Sequence, residues 1–180
     1  MNVMLIGIGA LGCYTLGAVG QAIRIRGGEA SKNNVLGITA LAAVFHTFML
    51  YITIHTPEGI NLGVFTIASL IMLMVTLVVL FSSLKKQSEG LLILVLPLTI
   101  VSVLAVLFTP LDHYIWRPPS MMVAHILISA MAYGILMAAS CQSLLLSYQE
   151  HQLRKHCQRR LLKALPSLQT MERLMFEFLV

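Results

Sequence analysis

The stretch "GVFTIASLIMLMVTLVVLFSSL" (Gly63–Leu84) decides the fold, because it runs for 22 residues without a charged side chain. An α-helix rises about 1.5 Å per residue, so the stretch extends over about 33 Å. That length is sufficient for the hydrocarbon core of a bilayer, which is about 30 Å thick. The apolar side chains do not alternate with polar ones as they do in a membrane β-barrel. The stretch therefore predicts a transmembrane helix.

The composition of the whole chain supports the same class of protein. Of its 180 residues, 58% are hydrophobic and 11% are charged, and the mean hydropathy is +0.87. Soluble domains carry roughly 25% charged residues. A chain this apolar cannot cover its surface with polar groups in water. We therefore predict an integral membrane protein with the lipid bilayer as its main partner.

Four further apolar stretches are long enough to span the membrane. Together with Gly63–Leu84 they give predicted spans at 3–23, 35–54, 63–84, 91–108 and 121–147. The predicted fold class is all-α: a polytopic helical bundle of about five transmembrane helices over residues 1–148. Residues 149–180 are predicted to form a basic cytoplasmic tail and the start of a truncated further helix near Met171.

Lysine and arginine residues predict the orientation of the bundle. Those that follow the first, third and fifth spans are Arg24, Arg26, Lys32, Lys85, Lys86, Arg154, Lys155, Arg159, Arg160 and Lys163, whereas the opposite side has only Arg117. Basic loops stay in the cytoplasm, which places the N-terminus outside and the tail inside. The net charge of +5 is thus explained by topology, and no nucleic-acid partner is predicted.

Two sequence patterns could be mistaken for functional motifs of soluble proteins, but their positions in the chain exclude those functions. "GIGALG" (Gly7–Gly12) matches a dinucleotide-binding fingerprint, yet it lies inside a predicted span with no strand before it. Gly9, Cys13 and Gly17 recur every four residues, so a packing face for another helix is the better interpretation. The cysteines of the chain form no C-x-x-C pair. A zinc ribbon or a thiol relay is therefore not predicted.

Two histidines lie inside predicted spans, His46 in the second and His125 in the fifth. Ionisable residues in a membrane usually face the bundle interior or a cavity, although a neutral histidine can simply bond one helix to another. His125 lies about 7 Å below the predicted outer surface. It is followed at helical spacing by Ser129, Tyr133, Ser140, Ser143 and Ser147, and we expect this stripe to face the bundle.

Haem is the ligand that best suits a neutral histidine in an apolar setting, because its iron takes an axial imidazole and its propionates need a cation. His125 is the leading axial-ligand candidate and His46 the second. In the outer loop, Arg117 is a candidate partner for a propionate. Trp116 is either a platform for a flat aromatic ligand or part of the interfacial aromatic belt. No acidic residue lies inside any predicted span, which argues against a proton-coupled pump or an ion exchanger.

Several segments resemble one known family in order and spacing. They are "AAVFHTFMLY" (42–51), "GINLGVFTIASL" (59–70), "LPLTIVSVLAVLFTP" (96–110), "SMMVAHILISAMAYGILMAA" (120–139), "LLLSYQEHQLRK" (144–155) and "ALPSLQTMERLMFEFL" (164–179). The family is that of the CcsA-like membrane proteins of cytochrome c assembly, and the likeness is to its YpjD/HemX-like branch. It covers most of the chain and is strongest from Leu94 to Phe178.

The resemblance implies a multi-pass protein of the bacterial inner membrane that binds or handles non-covalent, b-type haem near the outer face. It matches His125 to an outer-side axial ligand of that family and His46 to a histidine typical of the branch. Possible partners are other membrane proteins of cytochrome c biogenesis or of the haem pathway. The chain has one tryptophan, Trp116, and lacks the tryptophan-rich segment of better-studied branches. Family members continue with about three more helices, so the chain resembles their N-terminal two-thirds.

Two hypotheses from different classes follow. The leading one is a haem-handling membrane protein that is not an enzyme. The alternative is a structural or accessory membrane subunit without a ligand, whose histidines serve helix–helix packing. A small-solute transporter ranks third, because the number of spans is odd and no internal repeat is visible.

Overall fold

The computed structural model of the chain describes residues 3–57, 59–85, 89–109, 115–116 and 119–154. Most of these residues lie in five α-helices: α1 (Val3–Ile25), α2 (Lys32–Ile54), α3 (Val64–Lys85), α4 (Leu92–Phe108) and α5 (Ser120–Arg154). A short 3-10 helix, Glu89–Leu91, precedes α4. The helices coincide with the five predicted spans, and α5 continues past the predicted end of the fifth. The basic tail beyond residue 154 and the further helix predicted near Met171 lie outside the described residues.

Four of the helices are long and apolar enough to cross a membrane. They cover Val3–Ile25, Lys32–Ile54, Val64–Leu84 and Ser120–Tyr148. The fourth predicted span corresponds to α4, which is apolar but has only 17 residues and includes Pro97. Proline has no backbone N–H to donate, so the carbonyl of Ile93 loses its usual helical partner.

The first four helices form a ring in which α1 contacts α2, α2 contacts α3, α3 contacts α4, and α4 returns to α1. Helix α5 joins this ring through α3. The most completely buried apolar side chains of the ring come from all four helices and include Ala10, Ala42, Met49, Val75, Val79, Leu92, Val95, Leu96 and Val103. Each helix is apolar nearly all round, so its neighbours, rather than its own periodicity, select the buried side.

Small residues allow the helices to approach closely at two points. A Cβ atom added to Gly17 of α1 would lie 2.9 Å from Oγ1 of Thr39 in α2. A Cβ atom added to Gly134 of α5 would lie 2.9 Å from Cβ of Met74 in α3. The predicted packing role of Gly17 is therefore confirmed. The buried line on α1 nevertheless passes through Gly7, Ala10, Tyr14, Gly17 and Gln21, whereas Gly9 and Cys13 lie at its margin.

The all-α prediction is confirmed, and the structure adds three short strands at one end of the bundle. They are β1 (His55–Thr56), β2 (Gly59–Asn61) and β3 (Ile115–Trp116), arranged antiparallel in the order β1-β2-β3. Ile60 pairs with both His55 and Trp116, which ties the α2–α3 connection to the α4–α5 connection. Strands of two or three residues are too short to show alternation in the sequence. They form because loop backbone groups need hydrogen-bond partners.

Candidate functional site

A polar cluster at the centre of the helix ring joins three helices through His46. The imidazole of His46 is fully buried. Its Nδ1 lies 3.1 Å from the hydroxyl oxygen of Tyr14 in α1, and its Nε2 lies 2.8 Å from Oγ of Ser69 in α3. The rings of Tyr14 and His46 meet edge to face, with their centroids 5.8 Å apart. Both ring nitrogens are thus engaged in hydrogen bonds between helices.

The cluster satisfies a neutral imidazole in either of its tautomers. A neutral ring has one N–H donor and one acceptor nitrogen, whereas each hydroxyl can both donate and accept. Tyr14 can therefore donate to Nδ1 while Nε2–H donates to Ser69, or both bonds can run in the opposite direction. Ligation of a metal by His46 would break one of these bonds. The geometry consequently favours a role for His46 in helix packing.

Helix α2 presents His46 to the ring because of its spacing relative to other buried residues. The side chains of Thr39, Ala42, Ala43, Met49, Leu50 and Thr53 are also buried, at intervals of three and four residues. These intervals place them on one side of a helix. Small alanines beside the imidazole leave room for the phenol of Tyr14, which is itself fully buried.

Two threonines extend the polar cluster to the fourth helix. Oγ1 of Thr76 in α3 lies 3.1 Å from Oγ1 of Thr99 in α4, and both side chains are fully buried. Each hydroxyl also lies 2.9 Å from the carbonyl oxygen four residues earlier, of Met72 and Val95 respectively, so one hydroxyl donates to the other while its partner donates to its own carbonyl. The Thr76 side chain is also placed to bond the Tyr14 phenol. Polar side chains from all four ring helices therefore meet at the centre of the bundle: hydroxyls from α1, α3 and α4 and the imidazole from α2.

His125 has a very different environment from His46. It lies five residues inside α5 and is exposed, as are Tyr133, Ser140, Ser143 and Ser147, while Ser129 is half-buried. The expectation that this stripe faces the bundle is wrong. The side of α5 that packs on α3 instead carries small and apolar residues, namely Ala130, Gly134, Ala138 and Leu145. Close helix contact in lipid favours small residues, and they outweigh the polar stripe in selecting the packed side.

The imidazole of His125 is available to a ligand. Within the described ranges of the chain it makes no hydrogen bond and no ring contact. The structure thus gives the two predicted histidines different settings: His46 is bonded at both nitrogens inside the ring, and His125 is open on its outside.

The two predicted loop residues are only partly described. The backbone of Trp116 belongs to β3 and pairs with Ile60, at the same end of the bundle as the start of α5. Arg117 lies outside the described residues. Their roles beside a haem therefore stay predictions. Among the residues that the structure covers, no group of three or more His, Cys, Asp or Glu side chains is arranged to hold a metal ion.

Sequence reasoning missed Tyr14 and Ser69 as partners of His46. A single tyrosine inside a predicted span gave a weak signal, since a phenol is also common at membrane boundaries. Serine gave none, because a serine in a helix can bond to its own backbone. Partners separated by 32 and 23 residues in sequence become visible only when the helices are packed.

The cluster around His46 suggests a role in helix packing, and the exposed imidazole of His125 suggests a role as a ligand. Similarity to known proteins does not decide between these two roles. Comparison of the chain with protein-family models, with curated proteins and with solved structures finds no match.

Proposed function

We propose that the chain is a multi-pass integral membrane protein of the bacterial inner membrane that binds haem near the outer face through His125. In this proposal the N-terminus and the three-stranded sheet are outside, the tail is cytoplasmic, and the protein is not an enzyme. The four long apolar helices support the membrane location. The observation that carries the haem role is the open imidazole of His125, about 7 Å inside a helix that begins at that end.

The residues near the start of α5 have the chemistry that haem binding requires. Haem iron binds a neutral imidazole nitrogen, and the exposed side chains of Met121 and Met122, one turn before His125, offer apolar contacts to the macrocycle. The sequence has no C-x-x-C-H attachment motif, so the haem would be held non-covalently, as in b-type proteins. When bound, the group would supply a redox-active iron. Arg117 stays the proposed partner of a propionate, and Trp116 the proposed aromatic contact.

The proposal rests on His125 and not on His46. The imidazole of His46 already bonds to Tyr14 and Ser69 inside the ring. Other membrane proteins of cytochrome c biogenesis or of the haem pathway are the proposed partners. They would receive or supply the haem on the outer side.

The experiment is a haem titration of the purified protein in detergent, followed by its Soret band. We expect the wild type to take up haem and His125→Ala to bind it at least about tenfold more weakly, since an axial ligand contributes at least as much as the outer-shell groups around metals. His55→Ala is the matched control, because His55 is an exposed imidazole at the same end of the bundle. Equal binding by the His125→Ala and wild-type proteins would contradict the ligand role.

A second candidate function is that of an accessory membrane subunit without a ligand. The specific observation in its favour is the bonding of His46 to two other helices. It predicts that the wild type does not change the Soret band of the added haem at any concentration, while His46→Ala still destabilises the bundle. Stoichiometric haem uptake by the wild type would exclude it.

A further inference from the structure

The membrane-embedded part of α5 carries most of its polar side chains on one side of the helix. We call this side the α5 polar face; its residues are His125, Ser129, Tyr133, Ser140, Ser143 and Ser147. The residues that pack on α3 include Ala130, Gly134, Ala138 and Leu145. With about 100° of rotation per residue, the two sets lie on roughly opposite sides of the helix. The α5 polar face therefore points away from the other helices that the structure describes.

The outward side of α1 shows what a lipid-facing surface of this protein looks like. Its most exposed large side chains are Met4, Leu5, Ile8, Leu16, Val19 and Ile23, all apolar. Thr15 on the same helix donates its hydroxyl proton to a carbonyl of the preceding turn, that of Leu11 or Gly12. The α5 polar face differs sharply from this surface, so the two sides of the molecule do not meet the same environment.

Two side chains of the α5 polar face, Tyr133 and His125, make no hydrogen bond among the described residues. Ser140 donates to the carbonyl of Leu136 at 2.9 Å. Tyr133 and His125 make no such bond to their own helix. Tyr133 is 60% exposed and lies about 20 Å along the helix, well inside a core about 30 Å thick. Among the described residues neither Tyr133 nor His125 has a hydrogen-bond partner.

An unsatisfied polar group in hydrocarbon costs several kcal/mol. Exposure of the whole α5 polar face to lipid is therefore unfavourable, and a protein surface with its own donors and acceptors is the covering that removes this cost. Hydroxyls and neutral imidazoles both donate and accept hydrogen bonds, so the face is complementary to a copy of itself.

We infer that the α5 polar face binds the α5 polar face of a second copy of this chain. The inference rests on the proposed membrane location and orientation. All copies insert with the same orientation, because the same basic residues hold their tails in the cytoplasm. Two α5 helices that meet through this face are consequently parallel, and a two-fold axis runs along the membrane normal.

The parallel arrangement brings identical residues together at equal depth. Ser140, Ser143 and Ser147 are small, and they allow close backbone approach in the half of the helix near the tail. Toward the outer end the larger Tyr133 and His125 hold the helices further apart. The two His125 imidazoles thus lie on the shared face at one depth. For the proposed haem role, His125 of each copy would then be available to hold the group.

Disulfide cross-linking in membranes tests the shared face. In a background with Cys13, Cys141 and Cys157 replaced by alanine, Leu136→Cys places a thiol between Tyr133 and Ser140, because residues three and four apart lie on the same side of a helix. Val19→Cys is the matched control on α1. Leu136 and Val19 are each 16 residues after the start of their helix, and they are 55% and 56% exposed. A disulfide needs Cα atoms within about 7 Å.

Mild oxidation should convert Leu136→Cys to a covalent dimer with a yield several times that of Val19→Cys. Adding Tyr133→Phe and His125→Ala to Leu136→Cys should lower this yield severalfold, because the polar groups that need covering are removed. Equal yields at the two positions, no dimer from Leu136→Cys, or a yield unchanged by the added substitutions would each overturn the inference.

The haem content of the same samples separates this inference from the proposed function. If Leu136→Cys forms a dimer that carries no haem, the result supports the shared face and contradicts the proposed haem role. If each chain binds one haem and no dimer forms, the result supports the haem role and contradicts the shared face. One haem for two chains, lost in His125→Ala, supports both.

Discussion

Replacing His46 with alanine should lower the free energy of unfolding by about 2–4 kcal/mol. The substitution leaves a cavity in the most completely buried part of the helix ring, and cavities of this kind destabilise proteins by amounts of this order. It also removes one of the hydrogen-bond partners of Tyr14 and the histidine partner of Ser69. A buried hydroxyl left without a partner costs about 1–3 kcal/mol in soluble proteins and less in membranes.

The measurement is thermal or denaturant-induced unfolding in one detergent, with His55→Ala as the control. His55 is exposed, and its Nδ1 bonds only to the carbonyl of Tyr51 within the same turn. A surface substitution of this type should change stability by less than about 0.5 kcal/mol. Similar losses for both variants would show that the imidazole of His46 does not hold the ring together.

The same variant also separates packing from ligation. If His46 only connects helices, folded His46→Ala protein at low temperature should retain the haem affinity of the wild type. A loss of haem binding in protein that is still folded would instead make His46 a ligand, in spite of its two hydrogen bonds. Ser69→Ala is a milder variant for the same test, because it removes one of the two hydrogen bonds of His46 and keeps the imidazole.

Replacing Gly17 with leucine should destabilise the bundle by about 3 kcal/mol or prevent α1 from docking. Even the first atom of a side chain at this position would lie 2.9 Å from Oγ1 of Thr39. That hydroxyl is held in place by its bond to the carbonyl of Val35. Excess volume in a packed core typically costs 1–3 kcal/mol through shifted backbones and strained rotamers. A complete leucine side chain would force α1 and α2 apart.

Gly12 provides the control within the same helix, since a Cβ atom added there meets nothing within 4 Å. Gly12→Leu should therefore unfold at nearly the wild-type temperature, while Gly17→Leu unfolds well below it. Separation of α1 from α2 would also pull Tyr14 away from His46. Equal stability of the two leucine variants would contradict the close approach of the helices at Gly17.

Much of the architecture was predictable from hydropathy and charge. The run of uncharged residues in Gly63–Leu84 and its four counterparts predicted the helices, because backbone groups in lipid must bond within their own segment. The three-stranded sheet was not predictable, since β1, β2 and β3 have only two or three residues each. Their pairing depends on how closely two loops approach, and that distance follows from the packing of α2, α3, α4 and α5.

The candidate site divides in the same way. The sequence by itself determined that His46 and His125 lie within long apolar helices, since hydropathy is a property of each segment alone. Only the tertiary structure decided that His46 bonds to Tyr14 and Ser69 across three helices, and that His125 points away from the bundle. The physical reason is that hydrophobicity does not select the packed side of either helix: α2 is apolar nearly all round, and α5 is not packed on its polar stripe. The side of a helix that is buried then depends on where a neighbour can approach, and on α5 the small residues Ala130, Gly134 and Ala138 allowed that approach on the side opposite the polar stripe.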